Sequence, residues 1–383
     1  MGRLAVRGNL IVDREVREDW ILICEDGVIA QAGPWRGEEA DLRVAGGYVA
    51  PGYVDVHVHG AGGGDVMDAS EAALARIAQT LATHGVTGFL ATTLTADLDS
   101  LTEVLRMCRV FARRPSPGAA LLGVHLEGPW ISPDYKGAHN PDFIVDPTLA
   151  DARVLLWAAG GLLRIVTLAP ERPGAGAVIG YLRSRGIRVS AGHTSATWEE
   201  MKEAARCGVS QVTHCFNAMR GFHHREPGVV GAAMMHGEWT VELIADGVHV
   251  HPGAMALLYR AKGADRIALV SDAMRAAGMP DGDYHLGGFA VTVRGGAARL
   301  PDGTLAGSTL TLDRAVQHMV RLCGVPVAEA VAMASEVPAR AAGCGHRKGR
   351  LAAGYDADFV VLDQDLRVER TFIAGAEVQR VDW

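Results

Sequence analysis

Eight short apolar runs, spaced along the middle of the chain, constrain its fold more than any other feature. They read "YVDVHVH", "GFLATT", "ALLGVHLE", "LRIVTLAP", "IRVSAGH", "SQVTH", "VELIADG" and "RIALVSD". They recur at intervals of roughly 20 to 40 residues, with helix-length segments between most of them, and that periodicity predicts parallel strands joined by helical crossovers. One such segment, "SEAALARIAQTLATHG", has Ser70 placed as an N-cap and Gly85 as a stop. Eight repeats of this unit over about 250 residues make a (β/α)8 TIM-like barrel. A doubly wound open sheet is the alternative, but no G-x-G-x-x-G follows the first run.

The two ends have a different texture. Residues 1–50 are short β-like runs with an Asp26-Gly27 hairpin signal. Residues 346–383, "GRLAAGYDADFVVLDQDLRVERTFIAGAEV" among them, are β-like again. Termini often lie close together. The expectation is therefore a small β-sandwich domain formed by residues 1–50 and 346–383, with the barrel occupying 51–345 and a β insertion at about 283–304.

Composition narrows the class. With 383 residues, 49% hydrophobic and 21% charged, the chain can bury a large core. A formal net charge of -7 and a pI near 6.1 give no general attraction to nucleic acid or to an anionic membrane, so a small-molecule partner is expected. Neither a leader pattern nor a bilayer-length apolar run is legible, which predicts a cytoplasmic protein. The six cysteines contain no C-x-x-C pair, so any metal must be held by histidine and carboxylate.

In a (β/α)8 barrel the chemistry sits at the C-terminal ends of the strands. In an extended strand residues i and i+2 share a face, so His57 and His59 of "PGYVDVHVHG" project side by side. The other runs end in Glu127 ("HLEGP"), His193 ("AGH"), His214 ("THCFNAM") and Asp272 ("SDAM"). A lone strand-end histidine is commonly a hydrogen-bonded core residue. Four histidines and two carboxylates around one mouth instead predict a metal-dependent hydrolytic site, because burying so many ionisable groups without compensation costs several kcal/mol. Nitrogen and oxygen donors suit zinc first, with iron, cobalt or manganese open. None of the four lysines ends a strand, so a carbamylated lysine has no donor and Glu127 is the candidate carboxylate ligand.

The ordered series "PGYVDVHVHG", "HLEGPW", "KGAHNP", "VTLAPE", "SAGHT", "THCFNAM", "REPG", "IADGVH", "SDAM", "LAGSTLTLD" and "GYDADFVVLD" resembles the amidohydrolase superfamily, and within it the N-acetylglucosamine-6-phosphate deacetylase family. The resemblance implies Glu127, His193 and His214 as the shared metal ligands. His57 and His59, replaced in some members, leave room for a second ion. Asp272 is implied as the catalytic aspartate at the metal, and "KGAHNP" places Ala138 and His139 at the substrate. Asn217 and Ala218, Asp246 and His249, and Leu305, Ala306 and Gly307 match further substrate-contact segments. Arg225 in "GFHHREPG" matches a phosphate-binding arginine that reaches the neighbouring subunit, implying a homodimer; a guanidinium suits bidentate phosphate recognition. Cys215 departs from the apolar residue expected after His214, and strand alternation turns it away from the mouth.

By this resemblance the reaction is hydrolysis of the acetamide of N-acetyl-D-glucosamine 6-phosphate to D-glucosamine 6-phosphate and acetate, in amino sugar catabolism. Metal-activated water would be the nucleophile, Asp272 the general base and then acid, and His139 a donor to the oxyanion. The alternatives are another N-acetylhexosamine phosphate or a cyclic amide as substrate, or a non-catalytic barrel serving as a scaffold.

Overall fold

The computed structural model of the protein describes residues 2–379; Met1 and residues 380–383, the outer ends of the two terminal segments, lie outside the described residues. The eight apolar runs form β1 (Tyr53–Val58), β2 (Val86–Thr92), β3 (Ala120–Glu127), β4 (Leu163–Leu168), β5 (Arg188–Ala191), β6 (Val209–Val212), β7 (Thr240–Leu243) and β8 (Ile267–Leu269). Each pairs in parallel with its sequence neighbours, from β1 through to β8. Closure is made just past β8: Val58 bridges Ala273, the Asp272 N–H donates to the His57 carbonyl at 2.9 Å, and the His59 N–H donates to the Ala273 carbonyl at 2.9 Å. The expected barrel is therefore present and nearly closed.

Helices α1 (Glu71–Thr83), α2 (Leu98–Phe111), α3 (Leu149–Ala159), α4 (Ala175–Ser184), α5 (Trp198–Cys207), α6 (Gly228–Met235), α7 (Pro252–Lys262) and α8 (Leu312–Cys323) follow the successive strands. With helices outside and packed side chains within, β1, β2, β7 and β8 are buried at every position, which explains why these runs are almost continuously apolar. Local signals start the helices where they are needed. Ser70 Oγ accepts the Ala73 N–H at 3.2 Å, and Thr197 and Glu200 form a reciprocal capping box on α5.

The terminal segments meet in one eight-stranded sheet, in which Phe359–Leu362 pairs antiparallel with Tyr48–Pro51. Asp26 and Gly27 join two of its strands with φ of 50° and 84°, the two-residue hairpin that their sequence announces. Val6, Leu10, Leu22, Val49, Phe359 and Phe372 give this sheet a core of its own. After β8 a three-stranded antiparallel sheet is inserted, Gly282–Leu286, Phe289–Arg294 and Ala297–Arg299.

Three strands stop short of the ionisable residues that end their runs. The β5, β6 and β8 ladders end two or three residues before His193, His214 and Asp272, whose φ values of 48°, 29° and 48° place them in the left-handed region. A left-handed residue cannot continue a strand, so the chemistry-bearing residues stand on the turns just beyond it. Such backbone costs about 1–3 kcal/mol per residue and persists where the surrounding structure holds it.

Candidate active site

The structure brings all six strand-end groups into one buried cluster. His57 Nε2 lies 3.5 Å from both Glu127 Oε1 and Asp272 Oδ1. His59 Nε2 is 3.2 Å from Asp272 Oδ1 and 3.3 Å from Glu127 Oε2. On the other side of Glu127, His193 Nε2 and His214 Nε2 approach Oε1 at 3.3 and 3.1 Å. Glu127 thus stands between a His57, His59 and Asp272 group and a His193 and His214 group.

For His57, His59 and His193 the tautomer follows from the partner behind the ring. A carbonyl can only accept, so His59 Nδ1, 3.2 Å from Thr92 O, and His193 Nδ1, 2.8 Å from Tyr135 O, both donate. His57 Nδ1 donates likewise to the Glu242 carboxylate at 2.9 Å. Three Nε2 lone pairs are then left facing the oxygens of Glu127 and Asp272, which also accept. Acceptors crowded on acceptors at 3.2–3.5 Å in a buried space call for a cation among them. The donor set therefore fits a divalent metal: imidazole and carboxylate with no thiolate, each of these three rings oriented by a second partner.

The electrostatics of the bare cluster agree. Against burial, which pulls it down, Asp272 and Glu127 draw the His59 imidazole up to about 9. Burial pushes the Asp272 carboxyl up, but His57 and His59 outweigh it and hold the group well below the usual carboxylate range.

His139 differs from the metal-facing rings. The Thr95 N–H donates to its Nδ1 at 3.1 Å, so Nδ1 is the acceptor and Nε2 carries the hydrogen. Burial and the nearby His193 push its pKa down to about 4, which keeps it neutral. His139 is thus a fixed N–H donor, with Nε2 3.4 Å from Glu127 Oε2.

The cluster forms the floor of a cavity of about 520 Å³, a size suited to a small ligand. Ala138, His139, Asn217, Ala218, His249, Leu305 and Gly307 line it, together with His59, Glu127, His193, His214 and Asp272.

Residues 48–378 match the family model described as "Amidohydrolase family". The chain belongs to the amidohydrolase family. It is 42% identical to an N-acetylgalactosamine-6-phosphate deacetylase of Escherichia coli O157:H7, over 96% of this chain and 97% of that one. It is 40% identical to an N-acetylglucosamine-6-phosphate deacetylase of Lysinibacillus sphaericus, over 97% of both chains. Among solved structures it superposes with a TM-score of 0.95 and 36% identity on an aspartate-to-alanine mutant of the N-acetyl-D-glucosamine-6-phosphate deacetylase from Mycobacterium smegmatis, in complex with N-acetyl-D-glucosamine-6-phosphate. That match covers 99% of this chain and 100% of the other.

Four of the sequence-derived site residues of this amidohydrolase do not line the cavity. His57 lies beneath its floor, and Ala306 is buried against the inserted sheet. Asp246 stands behind His249, accepting its Nδ1–H at 2.6 Å. Arg225 is on an exposed loop, where Nη1 contacts His224 Nε2 at 2.9 Å. Cys215 points away from the mouth into the core, where burial pushes its thiol up to about 12.

Two functional candidates escaped the reading of the sequence. Arg299, from the inserted sheet, is the one arginine or lysine lining the cavity among the described residues. Glu242 is fully buried in β7 beneath the cluster. Its signal was there to be read, a carboxylate inside the otherwise apolar run "VELIADG".

Proposed function

We propose that this amidohydrolase hydrolyses the acetamide of N-acetyl-D-glucosamine 6-phosphate, releasing D-glucosamine 6-phosphate and acetate. The observation that carries this reading is the cage of imidazole lone pairs around Glu127 and Asp272 on the cavity floor, with the His139 N–H beside it. Glu127, His193 and His214 would hold one divalent ion, zinc first among the candidates; His57, His59 and Asp272 would hold a second ion against the same Glu127. A divalent cation there supplies the Lewis-acid charge that makes a water nucleophilic at neutral pH.

The protein's own groups do the rest. Asp272, kept ionised by its imidazole neighbours, takes the proton from the attacking water. As the C–N bond breaks, the same carboxyl delivers that proton to the departing amine nitrogen, so the carboxylate is regenerated. His139 holds its Nε2–H toward the acetyl oxygen as negative charge develops there. Asp246 fixes the His249 ring at the cavity wall, where it would meet the sugar phosphate.

The phosphate would be met by Arg225 of a second copy in a homodimer. Its place on an exposed loop, outside this chain's own cavity, supports that assignment. Among the described residues no helix is long and apolar enough to cross a membrane, and we place the enzyme in cytoplasmic amino sugar catabolism.

The test is acetate release by the zinc-loaded protein from N-acetylglucosamine 6-phosphate, its galactosamine epimer and unphosphorylated N-acetylglucosamine, with elemental analysis of the same sample. The galactosamine-6-phosphate relative at 42% identity is the reason to include the epimer. The phosphorylated gluco substrate is expected to turn over fastest, with loss of activity on chelation and recovery on adding metal back. A faster epimer would reassign the sugar, and metal-independent activity would overturn the mechanism.

A further inference from the structure

Glu242 is a carboxylate with no exposed surface, set in the barrel interior where an ionised group costs several kcal/mol unless its partners repay it. Those partners are specific. Its Oε1 accepts from Gln211 Nε2 at 2.6 Å. Its Oε2 accepts from His57 Nδ1 at 2.9 Å and from the His214 backbone N–H at 3.3 Å. One oxygen thus reaches the backs of both halves of the cage.

Each contact does something the cage needs. The carboxylate can only accept, which fixes the hydrogen on His57 Nδ1 and leaves Nε2 as a lone pair toward Glu127 and Asp272. His59 and His193 are oriented by neutral carbonyls, of Thr92 and Tyr135, whereas His57 is backed by a full negative charge. A charged partner raises the basicity of a ligating imidazole more than a carbonyl does. The bond to the His214 N–H holds the turn on which that residue takes its left-handed backbone.

We infer that Glu242 is a positioning residue that sets the metal affinity of the His57 side of the cage, by fixing the tautomer and raising the basicity of His57 while anchoring the turn that carries His214. This rests on the metal-cage reading of the site.

The experiment compares wild type and Glu242→Gln, each equilibrated with zinc against a competing chelator and then analysed for metal per chain, with thermal melting of the metal-free forms alongside. The glutamine keeps the shape and one acceptor but removes the charge. We expect zinc to bind the variant about 10- to 100-fold more weakly, while its metal-free melting stays near that of wild type. Wild-type stoichiometry and affinity in Glu242→Gln would overturn the inference. A wild type that binds no zinc would instead overturn the cage reading itself. Should the variant not fold, nitrogen-15 histidine spectra of the wild-type holoprotein decide, with His57→Asn identifying the resonance. A proton on His57 Nδ1 upholds the inference, and a bare Nδ1 defeats it.

Discussion

Two clusters of ionisable side chains lie at opposite ends of the barrel, and they solve the problem of charge differently. At the mouth, Glu127 and Asp272 face three imidazole lone pairs, and among the described residues no guanidinium or ammonium is a close partner of either. At the far end, beside the terminal sheet, Glu336 opens the short helix Glu336–Ala341 and is ringed by arginines. Arg14 Nε lies 3.1 Å from it, Arg350 Nη2 2.5 Å and Arg340 Nη1 3.3 Å, and Arg14 also pairs with Asp265 just before β8. The distal cluster contains its own counter-charges and is complete. The mouth is complete only when a cation arrives, and that difference separates a structural ion-pair network from a reactive site built of the same kinds of residue.

Breaking the mouth should abolish chemistry before it touches the fold. Asp272→Asn is expected to lower kcat by about 100- to 10,000-fold, the range general acid–base catalysis contributes, while the ion that Glu127, His193 and His214 would hold and the melting temperature remain. Single-turnover acetate assays with parallel metal analysis check this, and near-normal turnover would remove Asp272 from its role.

Next in size, His139→Ala removes a donor without removing a ligand. We expect a fall of about 100- to 1000-fold in kcat, as for the loss of one oxyanion donor, with metal content unchanged. A rise in KM at constant kcat would mean that His139 binds the sugar instead.

The distal cluster should respond in the opposite sense. Glu336→Gln is expected to cost about 1–3 kcal/mol of stability, as for a lost hydrogen bond to charged groups, and to leave kcat intact. Burial raises the Glu336 pKa, but Arg14 and Arg350 outweigh it and hold the carboxyl below its ordinary value. A depressed carboxyl contributes stability above its unfolded pKa and loses that contribution as pH falls through the folded value. The gap in melting temperature between wild type and Glu336→Gln should therefore be full at pH 7 and shrink below the ordinary carboxylate range. A gap that does not vary with pH would show that the ion pairs carry none of it.

Much of this protein is legible in its residues. The eight apolar runs and their spacing determined a parallel barrel, because strands buried on both faces must be continuously apolar. The motif ends then named His57, His59, Glu127, His193, His214 and Asp272 together, because strand ends converge once a barrel closes. Local chemistry was equally readable at Ser70, where a hydroxyl caps a helix, and at Asp26-Gly27, where two positive φ angles turn a hairpin.

Tertiary structure decided what depends on contacts distant in sequence. Which nitrogen carries the hydrogen in His59, His139, His193 and His57 is set by Thr92, Thr95, Tyr135 and Glu242, 33, 44, 58 and 185 residues away from the rings they orient. No local pattern encodes that. Only the fold shows that His139 holds out an N–H while His59 holds out a lone pair, that Arg225 stays outside the cavity that Arg299 enters, and that a buried glutamate in β7 backs His57 and the turn of His214. The sequence specifies which groups meet; their protonation and orientation are settled by neighbours that only folding supplies.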